Sequence, residues 1–300
     1  MSNRSLLDEL SLPRKKGFFN SRDGTPIYYE VRGEGRPLIL CYGLVCRMDH
    51  WRHQVNYFLE RYQIITFDYR GHHRSGSPKN DQNITLAWLT SDVEDLVKFL
   101  ELKEAVVFGH SLGVTVSALY ALLDPKVVKG LVLICGAVSN PFEGMFYTDR
   151  MNKLYQWAAK IYELAPSLMA QIWKKFTALN RFNFFLTSRL GFNPDLAEEQ
   201  DVLGYMEGVN QTSTSTFFSL LKDYTSFDGR ELIKKLKCPT LVVAGEDDCI
   251  TPFELQAEVA RLIPQGELER VAVGSHNAHA DLPEVVNRRI DDFLERIHYT

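Results

Sequence analysis

The sequence predicts an α/β fold: a mostly parallel sheet of eight strands, helices on both faces, and a helical segment inserted near its end. Three observations predict it. Short apolar runs alternate with stretches of helical periodicity, the pattern of a parallel sheet wrapped by helices. The runs are rich in Val, Ile and Leu, as strands buried on both sides are. The alternation then stops between residues 140 and 232, where helix formers dominate and no strand is legible.

The first two strands are expected at Gly17–Asn20 and Ile27–Arg32, joined through the turn-forming pair Asp23-Gly24. Leu38–Tyr42 follows a Gly/Pro-rich turn and reads as a buried strand, and Gln63–Phe67 as another. Leu89, Val93, Leu96, Val97 and Leu100 recur at helical spacing and give one apolar stripe. Ala105–Phe108 is a strand, and Leu112–Leu123 a helix ended by Asp124-Pro125. Leu131–Cys135 and Leu241–Ala244 are buried strands. Leu255, Val259 and Leu262 mark a helix before the last strand, Leu268–Val273, and Val286, Ile290, Phe293 and Ile297 mark a C-terminal helix. The predicted organisation is a core of residues 1–139 and 233–300 with a helical cap, or lid, of residues 140–232.

Bulk composition narrows the function classes. Three hundred residues can bury a sizeable core. Hydrophobic residues at 45% and charged ones at 24% are ordinary for a soluble globular chain. A net charge of −4 gives no general attraction to nucleic acid. Cys41, Cys46, Cys135, Cys238 and Cys249 are scattered and odd in number, so buried thiols are expected rather than a disulfide framework. Met1–Lys16 carries charges without an apolar core, so no secretory signal is expected there. Ala105–Leu123 is apolar but holds Gly109, His110, Ser111 and Gly113, which favours a strand–turn–helix over a membrane span. A soluble, cytoplasmic protein is the expectation.

Gly109-His110-Ser111-Leu112-Gly113 lies between a strand and a helix. A turn that tight strains the serine backbone and leaves no room for side chains at positions 109 and 113. It also lifts the hydroxyl to the N-terminus of the following helix, where negative charge is stabilised. A serine hydroxyl needs a base to become nucleophilic. Asp247 and Asp248 follow the strand Leu241–Ala244, and His276 and His279 follow Leu268–Val273, so an acid and a base of either identity stand at strand ends where such sheets place their sites.

Taken together, these segments resemble an α/β-hydrolase-fold enzyme of the serine esterase/lipase kind over nearly the whole chain, the cap and the first residues excepted. The resemblance implies an eight-stranded α/β-hydrolase sheet and a catalytic triad. Its elbow motif falls on Gly109–Gly113, making Ser111 the nucleophile. Its Gly-x-x-Asp-x-x-x-Pro motif falls on Gly245, Asp248 and Pro252, choosing Asp248 over Asp247. Its histidine is followed by an acidic residue and a proline; Asp281 and Pro283 fit that spacing for His276 and not for His279. The backbone N–H of Leu112 is one implied oxyanion donor. The second, Leu44 N–H, lies in a loop where the family usually has His-Gly and this chain has Tyr42-Gly43. Tyr42 is expected to pack. In Asp68-Tyr69-Arg70-Gly71-His72-His73-Arg74-Ser75, His73 replaces the family's second glycine.

The implied reaction is ester hydrolysis through an acyl-enzyme, with no cofactor and no metal. The His72–His73 and His50/His53 pairs are read as structural. The same machinery serves thioester, lactone, amide or C–C hydrolases, cofactor-free perhydrolysis, and some small-ligand receptors. Epoxide hydrolases and haloalkane dehalogenases of this family use an aspartate nucleophile, and Ser111 argues against both. The aromatic-rich cap suits an apolar acyl substrate. Between Arg150 and Arg189 seven basic residues accompany one acidic residue, Glu163. The preferred reading is that these charges face water over a small aromatic core; the alternative is a lid that meets anionic lipid.

Overall fold

The computed structural model describes residues 13–300. The expectation for Met1–Lys16 therefore falls mostly outside the described residues. Eight strands form one sheet in the order β1-β2-β4-β3-β5-β6-β7-β8. They are β1 Lys15–Asn20, β2 Pro26–Arg32, β3 Arg36–Cys41, β4 Tyr62–Phe67, β5 Ala105–His110, β6 Val128–Ile134, β7 Thr240–Gly245 and β8 Gly266–Val271. The pairs β1–β2 and β2–β4 are antiparallel, and every later pair is parallel.

The core helices are α1 Arg52–Phe58, α2 Leu86–Phe99 and α3 Leu112–Leu123, with α9 Arg230–Ile233, α10 Phe253–Leu262, α11 Ala278–Asp281 and α12 Pro283–Arg296 later in the chain. They cover both faces of the sheet. Phe108 of β5 meets Phe58 of α1 at 6.1 Å between ring centroids. A Cβ on the next residue, Gly109, would meet α3 instead. Neighbouring strand residues point to opposite faces, so α1 and α3 lie on opposite sides.

Several strand ends differ from the sequence reading by a residue or two, and two of them stop short of a left-handed residue. Leu131–Cys135 ends a residue early, and Leu268–Val273 shifts back to Gly266–Val271. Cys135 (φ 48°) and Val273 (φ 55°) are apolar but left-handed, and that conformation cannot continue a strand. All five cysteines are free thiols. No helix among the described residues is long and apolar enough to cross a membrane.

Between β6 and β7 the chain forms α4 Arg150–Leu164, α5 Pro166–Phe176, α6 Arg181–Leu190, α7 Glu199–Gln211 and α8 Thr214–Tyr224. Local chemistry sets their starts. Pro166 opens α5, Asn180 Oδ1 accepts from Asn183 N at the head of α6, and Ser213 Oγ from Thr216 N at the head of α8. Part of the aromatic content makes an inner layer. Tyr162 stacks on Phe218 with centroids 4.5 Å apart, and Trp173 meets Phe217 at a tilt with centroids 4.3 Å apart. Trp157, Phe176, Phe182 and Phe185 stand outward instead.

Candidate active site

Ser111 sits between β5 and α3 with φ 53° and ψ −120°, a strained conformation for a residue with a side chain. The flanking glycines show why the turn holds. A Cβ on Gly109 would lie 2.3 Å from the Gly113 carbonyl oxygen, and one on Gly113 would lie 2.0 Å from that of Cys41. The turn therefore packs backbone on backbone against the end of β3, and only glycine fits either place.

Two later strand ends bring the other groups to this hydroxyl. His276 Nε2 lies 3.0 Å from Ser111 Oγ, and His276 Nδ1 lies 2.9 Å from Asp248 Oδ2. With Nδ1–H donating to the carboxylate, Nε2 faces the serine as an acceptor. Asp248 is fully buried, yet every side of it is answered. Its Oδ1 accepts from the backbone N–H groups of Ile250 and Thr251, both at 2.8 Å. Its Oδ2 also accepts from Gln256 Nε2 at 3.1 Å. Asp247, the other candidate acid, is exposed.

The histidine loop is held from three directions. Asp281 accepts from Ser275 N at 2.8 Å and from Asn193 N at 2.9 Å. Ser275 Oγ and Asn277 Nδ2 both donate to the Gly191 carbonyl at the end of α6, at 2.9 and 2.6 Å. His110 Nε2 donates to the His276 carbonyl at 2.9 Å. Gln256, His110 and Gly191 were not singled out from the sequence. Only His110 had a signal, its place beside the serine.

The loop after β3 lies against the nucleophile: a Cβ on Gly43 would be 3.0 Å from Ser111 Cβ. Cys46 N donates to the Gly43 carbonyl at 3.2 Å, which curls the loop so that Leu44 and Val45 face the cavity. Leu112 is the first residue of α3, where helix geometry leaves N–H groups without an intrahelical partner. Tyr42 packs as expected; its hydroxyl accepts from Tyr69 N at 2.9 Å, and the two rings meet edge to face at 4.6 Å. His73 has φ 44°, the backbone conformation a glycine would adopt freely. Its Nε2–H donates to the Cys46 carbonyl at 2.7 Å.

His50, His110 and His279 form a cluster beneath the site, their rings 4.6 Å apart in each pairing. Cys46 joins His50 and His110 to put three metal-ligand atoms within 4.8 Å of one another. The facing nitrogens of His50 and His110 are already in a hydrogen bond at 3.1 Å. Burial also pushes the Cys46 thiol up to about 12, so the cluster reads as neutral packing.

Burial likewise lowers His50 to about 3 and His72 and His73 to about 4, and holds His110 and His279 well below the ordinary value. In the unfolded chain these imidazoles titrate near ~6.5. Between those limits the unfolded state binds more protons than the folded one, so stability falls as pH falls. The unfolding free energy from urea titrations should therefore drop steeply from about pH 7 to about pH 5, by roughly 1 kcal/mol per buried imidazole per pH unit below ~6.5. A flat profile across that window would contradict the neutral cluster.

Above Ser111 opens a cavity of about 400 Å³ roofed by the helices between β6 and β7. Leu44, Phe142, Trp173, Leu186, Met206 and Leu255 are among the apolar side chains that line it. Asn140, Asn183 and Thr187 supply polar points. The carboxylate of Glu143 is the one acidic side chain in the lining, and it pairs with Arg230 at 2.7 Å.

Known proteins resemble this chain over most of its length. A protein of Azorhizobium caulinodans named as a carbamate hydrolase, RutD, is 26% identical over 276 residues, 90% of this chain and 96% of its own length. Epoxide hydrolase 1 of Caenorhabditis elegans is 25% identical over 279 residues, 90% of this chain and 67% of its own. A thermophilic esterase from Thermogutta terrifontis superposes with a TM-score of 0.73 at 20% identity, covering 95% of this chain and 99% of that one. The sequence model of the alpha/beta hydrolase fold matches residues 36–283, and the chain belongs to that family.

Proposed function

We propose that the protein is a serine hydrolase that cleaves neutral, apolar carboxylic esters. The observation that carries this reading is the hydrogen-bonded line from Ser111 Oγ through His276 to Asp248, at the floor of an apolar cavity. His276 takes the Ser111 proton as the oxygen attacks the ester carbonyl. The oxyanion is met by the N–H groups of Leu44 and Leu112. His276 then protonates the leaving alcohol, and Asp248 stabilises the imidazolium between the two transfers. Water enters, gives its proton to His276, and releases the acid with Ser111 restored. Apart from that water, the groups assigned to the cycle are side chains and amides of this chain.

The named relatives span different bonds, so the site must decide among them. A serine at the elbow sets this chain apart from family members that open epoxides with an aspartate. Residues 140–232 act as the cap that selects substrate. Among the described residues no Lys or Arg lines the cavity, and Glu143 is already paired, so a charged acyl group would lose its hydration without gaining a partner.

Steady-state hydrolysis of p-nitrophenyl esters from acetate to palmitate tests the reading. Turnover should rise with chain length while the acyl group fills the cavity and fall once it is overfilled. No turnover by folded protein on any member of the series would overturn the ester assignment.

A further inference from the structure

Each of α4, α5 and α6 turns one face inward, only partly covered on α4 and α6, and leaves an apolar face in water. On α4, Tyr155 and Tyr162 turn inward onto Phe142 and Phe218, at 5.1 and 4.5 Å between centroids. Leu154, Trp157, Ile161 and Leu164 recur on the other side at helical spacing, with Trp157 71% and Leu164 86% exposed. On α5, Met169 is buried and Trp173 Nε1 donates to the Thr212 carbonyl, while Leu168, Ile172 and Phe176 are exposed. On α6, Phe182 and Phe185 are exposed beside Leu186, which faces the cavity. Scattered exposed apolar residues are ordinary; a run of them along three consecutive helices marks a contact surface.

The charges on the same helices say what the contact is. Arg150, Lys153, Lys160, Lys174, Lys175, Arg181 and Arg189 are all exposed, and none forms an ion pair among the described residues. Glu163, the single acid among them, lies 3.8 Å from Lys222 of α8. A second copy placed face to face would set like charge against like charge, which disfavours a symmetric dimer here. An apolar stripe flanked by lysine and arginine matches instead a surface with apolar depth and anionic headgroups.

The face is also continuous with the cavity. Phe176 and Leu190 are exposed on it and line the cavity as well. We propose that α4–α6 docks the protein on an anionic lipid–water interface, with Trp157, Phe182 and the neighbouring aliphatic side chains in the acyl boundary and the basic residues on the headgroups. An apolar substrate held in the lipid would then reach Ser111 without crossing water. That route rests on the ester reading; the docking does not, because it is measured without turnover.

The test is flotation with phosphatidylcholine vesicles, with and without phosphatidylglycerol, at low and high salt. The proteins are the wild type, the double variant Trp157→Ser/Phe182→Ser, and the double variant Lys174→Glu/Lys175→Glu. Wild-type protein should float with the anionic vesicles, and added salt should weaken it. Either double variant should bind at least ~10-fold more weakly. Neither variant touches a cavity residue, so hydrolysis of soluble p-nitrophenyl acetate should be equal in all three proteins. Failure of the wild type to float, or equal flotation by all three, overturns the proposal. So does a stable dimer that Trp157→Ser/Phe182→Ser disperses, which would assign the face to a second copy.

Discussion

Ser111→Ala should lower kcat on a p-nitrophenyl ester by roughly five to six orders of magnitude, with the melting temperature nearly unchanged. On the proposed mechanism the loss is large because the Ser111 hydroxyl forms the acyl bond. His276 and the amides have nothing to act on without it. A residual rate would remain from bound water and the oxyanion donors. The measurement is steady-state hydrolysis beside a pre-steady-state burst, since the wild type should release one equivalent of nitrophenol before acyl-enzyme breakdown limits it. Retention of substantial activity in a clean preparation would remove Ser111 from the mechanism.

Asp248→Asn should cost about 10⁴-fold in kcat with little change in KM. The argument is one of hydrogen-bond direction. Two backbone N–H groups, of Ile250 and Thr251, point at Oδ1 and will hold the amide oxygen of the asparagine there. Its NH₂ then replaces Oδ2 and faces His276 Nδ1 as a donor. The imidazole must turn its lone pair to Nδ1 and carry its proton on Nε2, where it can no longer accept from Ser111. Gln256 Nε2 also meets a donor in place of an acceptor. Asp248 does not line the cavity, which is why substrate binding should be spared. An equal fall in binding and turnover would mean that the substitution had disturbed the loop rather than the tautomer.

Local patterns made the site's neighbourhood legible, with glycines around the serine and acids and histidines directly after apolar strands, while the choice of Asp248 over Asp247 and of His276 over His279 came from the family resemblance. The supports were not legible. Gln256 reaches Asp248 from inside α10, and a glutamine within a helix has no local signature. His50, His110 and His279 come from separate segments and meet only through the sheet, so no spacing reveals them. The strands were read from apolar runs, and that signal failed at Cys135 and Val273, where the chain turns left-handed while remaining apolar. The helices between β6 and β7 show a further limit. Composition shows a helical, aromatic-rich stretch, but not which of its apolar side chains, such as Leu154, Trp157 and Ile161, are left without a neighbour.

The strands that frame this helical segment, β6 and β7, are direct neighbours in the sheet, paired in parallel from Leu131↔Thr240 to Ile134↔Val243. The chain thus departs from one strand and returns to the next, and no strand elsewhere depends on what lies between. Serine, acid and histidine all stand on strand ends outside that excursion. Most of the cavity lining comes from that single continuous stretch of chain, while Ser111, Asp248 and His276 are spread across the sheet. Most of that stretch can be lengthened, shortened or re-lined without re-registering a strand, provided Gly191 and Asn193 keep their hydrogen bonds to the histidine loop. One scaffold can in this way be fitted to many substrates by trading a cassette.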